Sequence, residues 1–299
     1  MFGKSVRTGS SFYRKYRIIK ELGRSSNGVV YKAWHKRLRK FVVIKIVRDN
    51  SAAKNKVHRN EFEALRNIKC LYIPQVLDFH KDKNSSFTVI EYIEGESFDK
   101  LLKIGYRFTE KQIIKWYHQL ASALEAIHKN DIYHRDIKPA NIILRLEDDI
   151  CLIDFDSAYV SGNITGMISR SMGYASPEQY EYFKLCKSAF PDSTKPHTDH
   201  NETALLLNDC ITEPVSVINT IKCKPAYEIN WKLSDIYSLG ATIYHLLTGN
   251  RPPVKPADIK KITNLQGYSK ELLTIIEKSM KTNPLERYTS AEELKKYLL

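Results

Sequence analysis

Residues 16–47 alternate apolar and polar positions around Gly23 and Gly28, a period of two that predicts strands joined by tight turns. Residues 54–69 change period. Val57, Phe62, Leu65 and Ile68 fall at helical spacing. Two further strand-like runs follow, near Gln75 to Phe79 and Phe87 to Tyr92. Beyond them the pattern is helical. Thr109-Glu-Lys-Gln112 reads as a capping box ahead of a long amphipathic helix reaching about His128. Further helices are expected over 235–247, 269–281 and 290–298. Asn283-Pro284 stops one of them, and Ser290 with Glu293 caps the next. The order is therefore a small strand-rich part followed by a larger helical part, without internal repeats or low-complexity tracts.

Composition narrows the class. The chain has 299 residues and 42% apolar residues, enough for two modest domains or one bilobal one. Cysteines at 70, 151, 186, 210 and 223 form no C-x-x-C pair. That argues against a disulfide framework or zinc ribbon and fits a reducing cytosol. The opening MFGKSVRTGSSFYRKYR lacks the apolar core of a signal peptide, and no run of about 18 apolar residues spans a membrane.

The net charge of +13 is unevenly placed. Residues 1–91 hold 21 Lys+Arg against 7 Asp+Glu, which gives +14, so the remainder balances at −1. The densest patch is His35-Lys-Arg-Leu-Arg-Lys40, read as a solvated hairpin turn or a docking surface for an acidic partner or anionic surface. No nucleic-acid reading motif accompanies the charge, so no specific nucleic acid is expected.

The chemistry is concentrated in Tyr133 to Leu144, YHRDIKPANIIL. It offers an acid (Asp136), a cation two residues on (Lys138) and an amide five residues on (Asn141), ahead of an apolar run that anchors them. Phosphoryl transfer to a hydroxyl needs such parts: a carboxylate to orient the hydroxyl, a cation to offset charge and a neutral oxygen to hold a metal.

This segment resembles the catalytic loop H-R-D-x-K-x-x-N of eukaryotic-like (Hanks-type) serine/threonine protein kinases, and the stretches ASPEQY and SDIYSLGATIYHLLTG resemble the bacterial branch in particular. The resemblance runs from about Tyr16 to Leu298. It implies an α+β, bilobal protein-kinase-like fold with a small β-rich N-lobe and a larger, mainly helical C-lobe. The expected layout is a basic tail over 1–15 and a kinase domain over 16–299. Within that domain lie an N-lobe (16–91), a hinge (91–95) and a C-lobe (96–299).

The resemblance also assigns roles. LGRSSNGVV over 22–30 is similar to the glycine-rich phosphate loop through Gly23, Gly28 and Val30, with Ser25 replacing the middle glycine. Val30 is expected over the adenine, and Val42 to Lys45 is similar to the V-A-I-K strand, with Val43 in the ATP-binding set and Lys45 on the α- and β-phosphates. An ammonium in an apolar strand wants an acidic partner. The spacing of E-x-x-x-L-x-x-L selects Glu61, while Glu63 lies about 200° away on an ideal helix. Ile90 takes the gatekeeper position, Glu91 and Ile93 face the adenine edge, and Ile143 completes the ATP-binding set.

Leu152 to Asp156, LIDFD, brings Asp154 as metal ligand with Asn141. Phe155 packs, and Asp156 stands where the family has glycine. ATP and Mg²⁺ are the implied cofactors, with Mn²⁺ as the alternative ion. Arg135 marks a site in which a cation beside the catalytic acid receives a phosphorylated activation loop. Over residues 157–175, Thr165 and Ser169 are the regulatory candidates. Ser171 replaces the threonine that bridges the catalytic Asp and Lys. Glu178 is expected to pair with Arg287, and Asp235 to brace the catalytic-loop backbone.

The implied activity is transfer of the ATP γ-phosphoryl group to Ser/Thr hydroxyls of protein substrates, with autophosphorylation. Ser25 and Asp156 motivate a rival reading, a binding module that keeps the fold without catalysis. A small-molecule phosphotransferase of related fold is a third. Ala140 stands where many basophilic kinases carry an acid, so no preference for arginine in the substrate follows. The chain departs most from the family between Glu178 and Asp235. An insertion is expected there, over about Tyr182 to Tyr227, as a docking element for substrate or partner. Its Cys186, His197, His200, Cys210 and Cys223 are too irregular to predict a zinc site.

Overall fold

The computed structural model describes residues 14–25, 28–48, 62, 65–82, 85–161, 171–189, 229–253 and 262–298. Glu61, Thr165 and Ser169 lie outside them, as does most of the helix expected over 54–69. The chain divides into two compact units. One is Met1–Lys69 with Pro74–Ile93, and the other is Cys70–Ile73 with Glu94–Leu299. The division falls between Ile93 and Glu94, inside the stretch read as a hinge.

The first unit is a five-stranded antiparallel sheet: β1 (Tyr16–Ser25), β2 (Gly28–His35), β3 (Lys40–Arg48), β4 (Val76–Asp82) and β5 (Ser85–Glu91). The strand order is β1-β2-β3-β5-β4. Alternation explains the sheet. Val42, Ile44 and Ile46 of β3 are buried and pack with Tyr16, Ala33, Phe87 and Val89. Phe62 packs against Phe79 with ring centroids 5.3 Å apart, on the other face of the sheet. Gly28 is required by close approach: a Cβ there would stand 2.2 Å from the Ile46 carbonyl oxygen of the neighbouring strand.

The second unit carries the helices α1 (Phe98–Lys103), α2 (Glu110–His128), α3 (Pro177–Ala189), α4 (Trp231–Thr248), α5 (Lys270–Ser279) and α6 (Ala291–Lys295). Five short strands sit among them: β6 (Glu96–Ser97), β7 (Ile132–Tyr133), β8 (Ile142–Leu144), β9 (Ile150–Leu152) and β10 (Tyr159–Val160). They pair as β6-β8-β9 and β10-β7. The capping box of α2 is present with both reciprocal bonds, Thr109 side chain to Gln112 N and Gln112 side chain to Thr109 N. Helix α4 is buried nearly all round and packs against α2 and α5, the pattern of a helix at the centre of a core. Gly240 permits this, since a Cβ there would stand 2.7 Å from the Ser279 Cβ of α5.

Several boundaries differ from expectation. Helix α4 begins at Trp231, one turn before 235, because the Asn230 side chain caps it by accepting from Leu233 N. Helix α5 stops at Ser279 and α6 at Lys295, both short of the predicted ends. Helix α3 continues to Ala189, into the first part of the expected 182–227 insertion, and buries Phe183. Residues 190–228, and with them the candidate zinc ligands beyond Ala189, lie outside the described residues.

Candidate functional site

In the first unit, strand pairing gathers the residues expected to meet a nucleotide on one face. Directly opposed residues share a side of the sheet, and β3 alternates. Gly23 stands opposite Val30, Val30 opposite Lys45, Gly28 opposite Val47, and Val43 opposite Ile90. Val43 and Lys45 therefore point away from the side that buries Val42, Ile44 and Ile46. Lys45 is half-buried on this face. Glu91 ends β5 and donates its N–H to the Gln75 carbonyl at 2.9 Å, while its carboxylate accepts Gln75 N at 3.1 Å.

The second unit holds the candidate hydroxyl-handling groups. Short β7 runs into the segment 134–138. A single 3₁₀ turn, Pro139–Asn141, then delivers the chain into β8. Asp136 is buried and heavily bonded. Its Oδ2 accepts from Lys138 Nζ at 2.9 Å and from Asn141 Nδ2 at 3.1 Å, and its Oδ1 accepts from Ser171 Oγ at 2.6 Å. Lys138 Nζ also donates to Ser171 Oγ at 2.9 Å. One hydroxyl thus joins acid and cation. The ammonium and the carboxylate share a charge-assisted hydrogen bond.

Asn141 spends its amide nitrogen on Asp136, donating also to the Asp136 carbonyl at 2.8 Å. Its Oδ1 is thereby the end that remains for a cation. Its backbone carbonyl accepts Ile153 N at 2.8 Å, which ties β8 to the residue before Asp154. Asp154 is exposed and has φ 64, and Phe155 beside it is buried. Left-handed backbone at a non-glycine residue is strained, and such strain gathers at functional sites. Arg135 shares it, with φ 62.

Beneath this layer lies a buried support. Asp235, fully enclosed on α4, accepts His134 N and Arg135 N, each at 2.8 Å, and lies 2.9 Å from His128 Nε2. A buried carboxylate is tolerable only with such donors. His134 Nε2 donates to the Ile153 carbonyl at 3.2 Å, and its Nδ1 accepts Asp136 N at 3.3 Å, so the ring is a neutral tautomer. Burial holds its pKa below the ordinary histidine value, against the opposing pull of Asp235, Asp136 and Asp154. His134 and Phe155 also pack, with centroids 4.7 Å apart.

Helix α3 is fixed by Arg287, which donates to both Glu178 oxygens at 2.7 and 2.9 Å and to the Leu233 carbonyl at 2.9 Å. Asp156 is half-buried one residue past Phe155.

Sequence reasoning passed over several supporting groups. Gln179 donates to the Arg135 carbonyl at 2.8 Å and accepts Ser234 Oγ at 3.2 Å. Thr242 Oγ1 donates to the Ile137 carbonyl at 3.3 Å. His128 and Trp231 complete the set. The only sequence signal for these residues was their neighbourhood, Gln179 beside Glu178 and Trp231 one turn before Asp235.

The protein kinase domain family matches residues 16–188. A probable serine/threonine-protein kinase of Clostridium acetobutylicum is 27% identical, over 96% of this chain and 40% of its own length. A similarly described protein of Clostridium perfringens is 26% identical, over 96% and 38%. The serine/threonine-protein kinase Nek6 of rice is 25% identical, over 94% and 47%. The chain therefore spans about two fifths to one half of the length of these relatives.

Proposed function

The chain belongs to the protein kinase domain family, and from that premise we propose that it transfers the γ-phosphoryl group of ATP to serine and threonine hydroxyls of proteins, itself included. The observation that carries this reading is the Ser171 hydroxyl joined to both Asp136 and Lys138.

In this reading Asp136 orients the acceptor hydroxyl and accepts its proton as the new bond forms. A free carboxylate is a weak base for an alcohol, so orientation is its larger contribution. Lys138, within reach of Asp136, offsets the charge on the phosphoryl group in flight. His134 and Asp235 keep the backbone of residues 134–136 in place, and Glu61 is the proposed partner of Lys45. The sheet face of Gly23, Ser25, Gly28, Val30, Val43, Lys45 and Ile90 is the proposed seat of the nucleotide, with Glu91 and Ile93 at the adenine edge.

The donor set fits a hard divalent cation. Asn141 offers an amide oxygen and Asp154 a carboxylate, and oxygen ligands of this kind suit Mg²⁺, with Mn²⁺ as the alternative. When bound, the ion would neutralise phosphate charge. Scattered cysteines, of which Cys70 and Cys151 are free thiols, suit a reducing cytosol as the location. No helix among the described residues is long and apolar enough to cross a membrane. A disulfide found in protein isolated directly from cells would count against the cytosol.

Incubating wild type and Asp136→Asn with labelled ATP, Mg²⁺ and a generic protein substrate tests the assignment. The variant is expected to lose about 10²- to 10⁴-fold in rate while keeping its unfolding temperature. Equal signal from both proteins would refute the role of Asp136. ATP binding without transfer by wild type would favour the binding module, and transfer to small molecules alone the third reading.

We also propose the β2–β3 turn as a docking surface for an acidic partner. Among the described residues Arg37, Arg39 and Lys40 make no ion pair, Leu38 is exposed between them, and Arg39 is held at φ 50. Arg37→Glu with Arg39→Glu should abolish salt-sensitive binding to polyglutamate and leave peptide phosphorylation unchanged. Unaltered polyglutamate binding would dismiss the surface.

A further inference from the structure

Arg135 carries a permanent charge yet is only 4% exposed. A buried cation is costly without compensation. Its backbone is fixed from two sides: the amide by Asp235 and the carbonyl by Gln179, each at 2.8 Å. The side chain is held separately. Nε donates to the Ser157 carbonyl at 2.6 Å. The guanidinium carbon lies 5.0 Å from the Trp231 ring centroid and 5.5 Å from that of Tyr159. Both distances are within the range at which an aromatic face attracts a cation. The two rings are themselves 6.3 Å apart.

Local structure explains how the rings arrive. Tyr159 lies on β10 directly opposite Tyr133 of β7, two residues before Arg135. Trp231 is the first residue of α4 and stands four residues before Asp235, on the same helix face. Helix α4 therefore grips one residue twice. Asp235 takes its amide, and Trp231 covers its guanidinium. Tyr182 of α3 braces the indole edge-on at 5.5 Å.

We propose that Trp231 and Tyr159 are positioning residues for phosphoryl transfer: their rings hold the Arg135 guanidinium in place, and so fix Asp136, the next residue, without a phosphate on the 157–175 segment. This rests on the kinase reading above. A guanidinium is planar, delocalised and weakly hydrated, so stacked rings satisfy it better than they would an ammonium. Its Nε edge is already committed to Ser157. An arriving phosphate would have to displace contacts the fold already supplies.

The experiment is a double-mutant cycle on kcat and on KM for ATP, in phosphatase-treated and untreated protein. Treated wild type should keep about half or more of its rate, a change of 2-fold at most. Trp231→Ala should lower kcat about 10- to 100-fold through misplacement of Asp136, with KM within about 2-fold. Trp231→Phe should restore most of the rate. In an Arg135→Gln background, Trp231→Ala should add less than about 2-fold, because both changes remove one interaction.

Multiplicative losses in the double variant would overturn the proposal. So would a Phe variant as impaired as Ala, or abolition of wild-type activity by phosphatase. A wild type that transfers no phosphate in either state would sink the kinase reading itself, a distinct result. If Trp231→Ala does not fold, Tyr159→Leu enters the same cycle with Arg135→Gln.

Discussion

Ser171 lies 33 residues from Lys138 and 35 from Asp136 in sequence, yet its hydroxyl bonds both. A bond to a charged group is worth about 1.5–3 kcal/mol, so Ser171→Ala should lower kcat roughly 10- to 100-fold. Ser171→Thr keeps the hydroxyl and should stay near wild type. Steady-state kinetics on both variants decides it, and an Ala variant as fast as wild type removes Ser171 from the mechanism. Asp136, Lys138 and Asn141 stood out in the sequence because two short spacings, of two and three residues, set out the proposed chemistry. Gln179 and His128 were not. A glutamine and a histidine acquire a role only when α3 brings Gln179 against Arg135 and α2 brings His128 against Asp235, and nothing in their local pattern records those meetings.

At the scale of elements, period alone revealed the sheet and most helices. Alternation along β3 separates Ile44, in the core, from Lys45, on the other face, and the capping box marks the start of α2 to the residue. Helix α4 was harder. A helix buried nearly all round has no polar face to set its ends, so its first turn, with Trp231, was missed. The tie between α3 and the end of the chain is the Glu178–Arg287 pair, with Arg287 fully enclosed. Removing one partner of a buried pair costs about 3–5 kcal/mol, whereas replacing both by apolar groups of similar volume costs far less. Arg287→Ala should therefore lower the denaturant unfolding free energy by that amount, and Glu178→Leu with Arg287→Met by less. A single variant within about 1 kcal/mol of wild type would show the pair to be marginal.

At the scale of the whole molecule, buried histidines give folding a pH dependence. His245 Nδ1 and the Tyr174 hydroxyl are hydrogen-bonded at 2.6 Å. Burial, aided by Arg251 and opposed by Asp99, lowers its pKa from 6.5 to about 4. Above pH 6.5 folded and unfolded chains both hold it neutral. As pH falls from 6.5 towards 4, the unfolded chain takes up a proton that the folded one refuses, so stability drops across that window and levels off below it. His134, also shifted down by burial, acts with the same sign. Unfolding temperatures measured between pH 7 and pH 4 should decline less steeply in His245→Asn than in wild type. Parallel declines would exclude His245 as a source.

The sequence by itself determined the spacings on which the proposed chemistry rests, the order of sheet then helices, and the placement of the excess positive charge in residues 1–91. Each is written in short spacings or in composition, which need no knowledge of what packs against what. Tertiary structure alone decided how the 134–141 segment is supported: Asp235 under two backbone amides, His134 as a neutral ring, and Trp231 with Tyr159 around Arg135. These are contacts between residues 19 to 101 positions apart. Their energy depends on burial, and burial belongs to the folded chain.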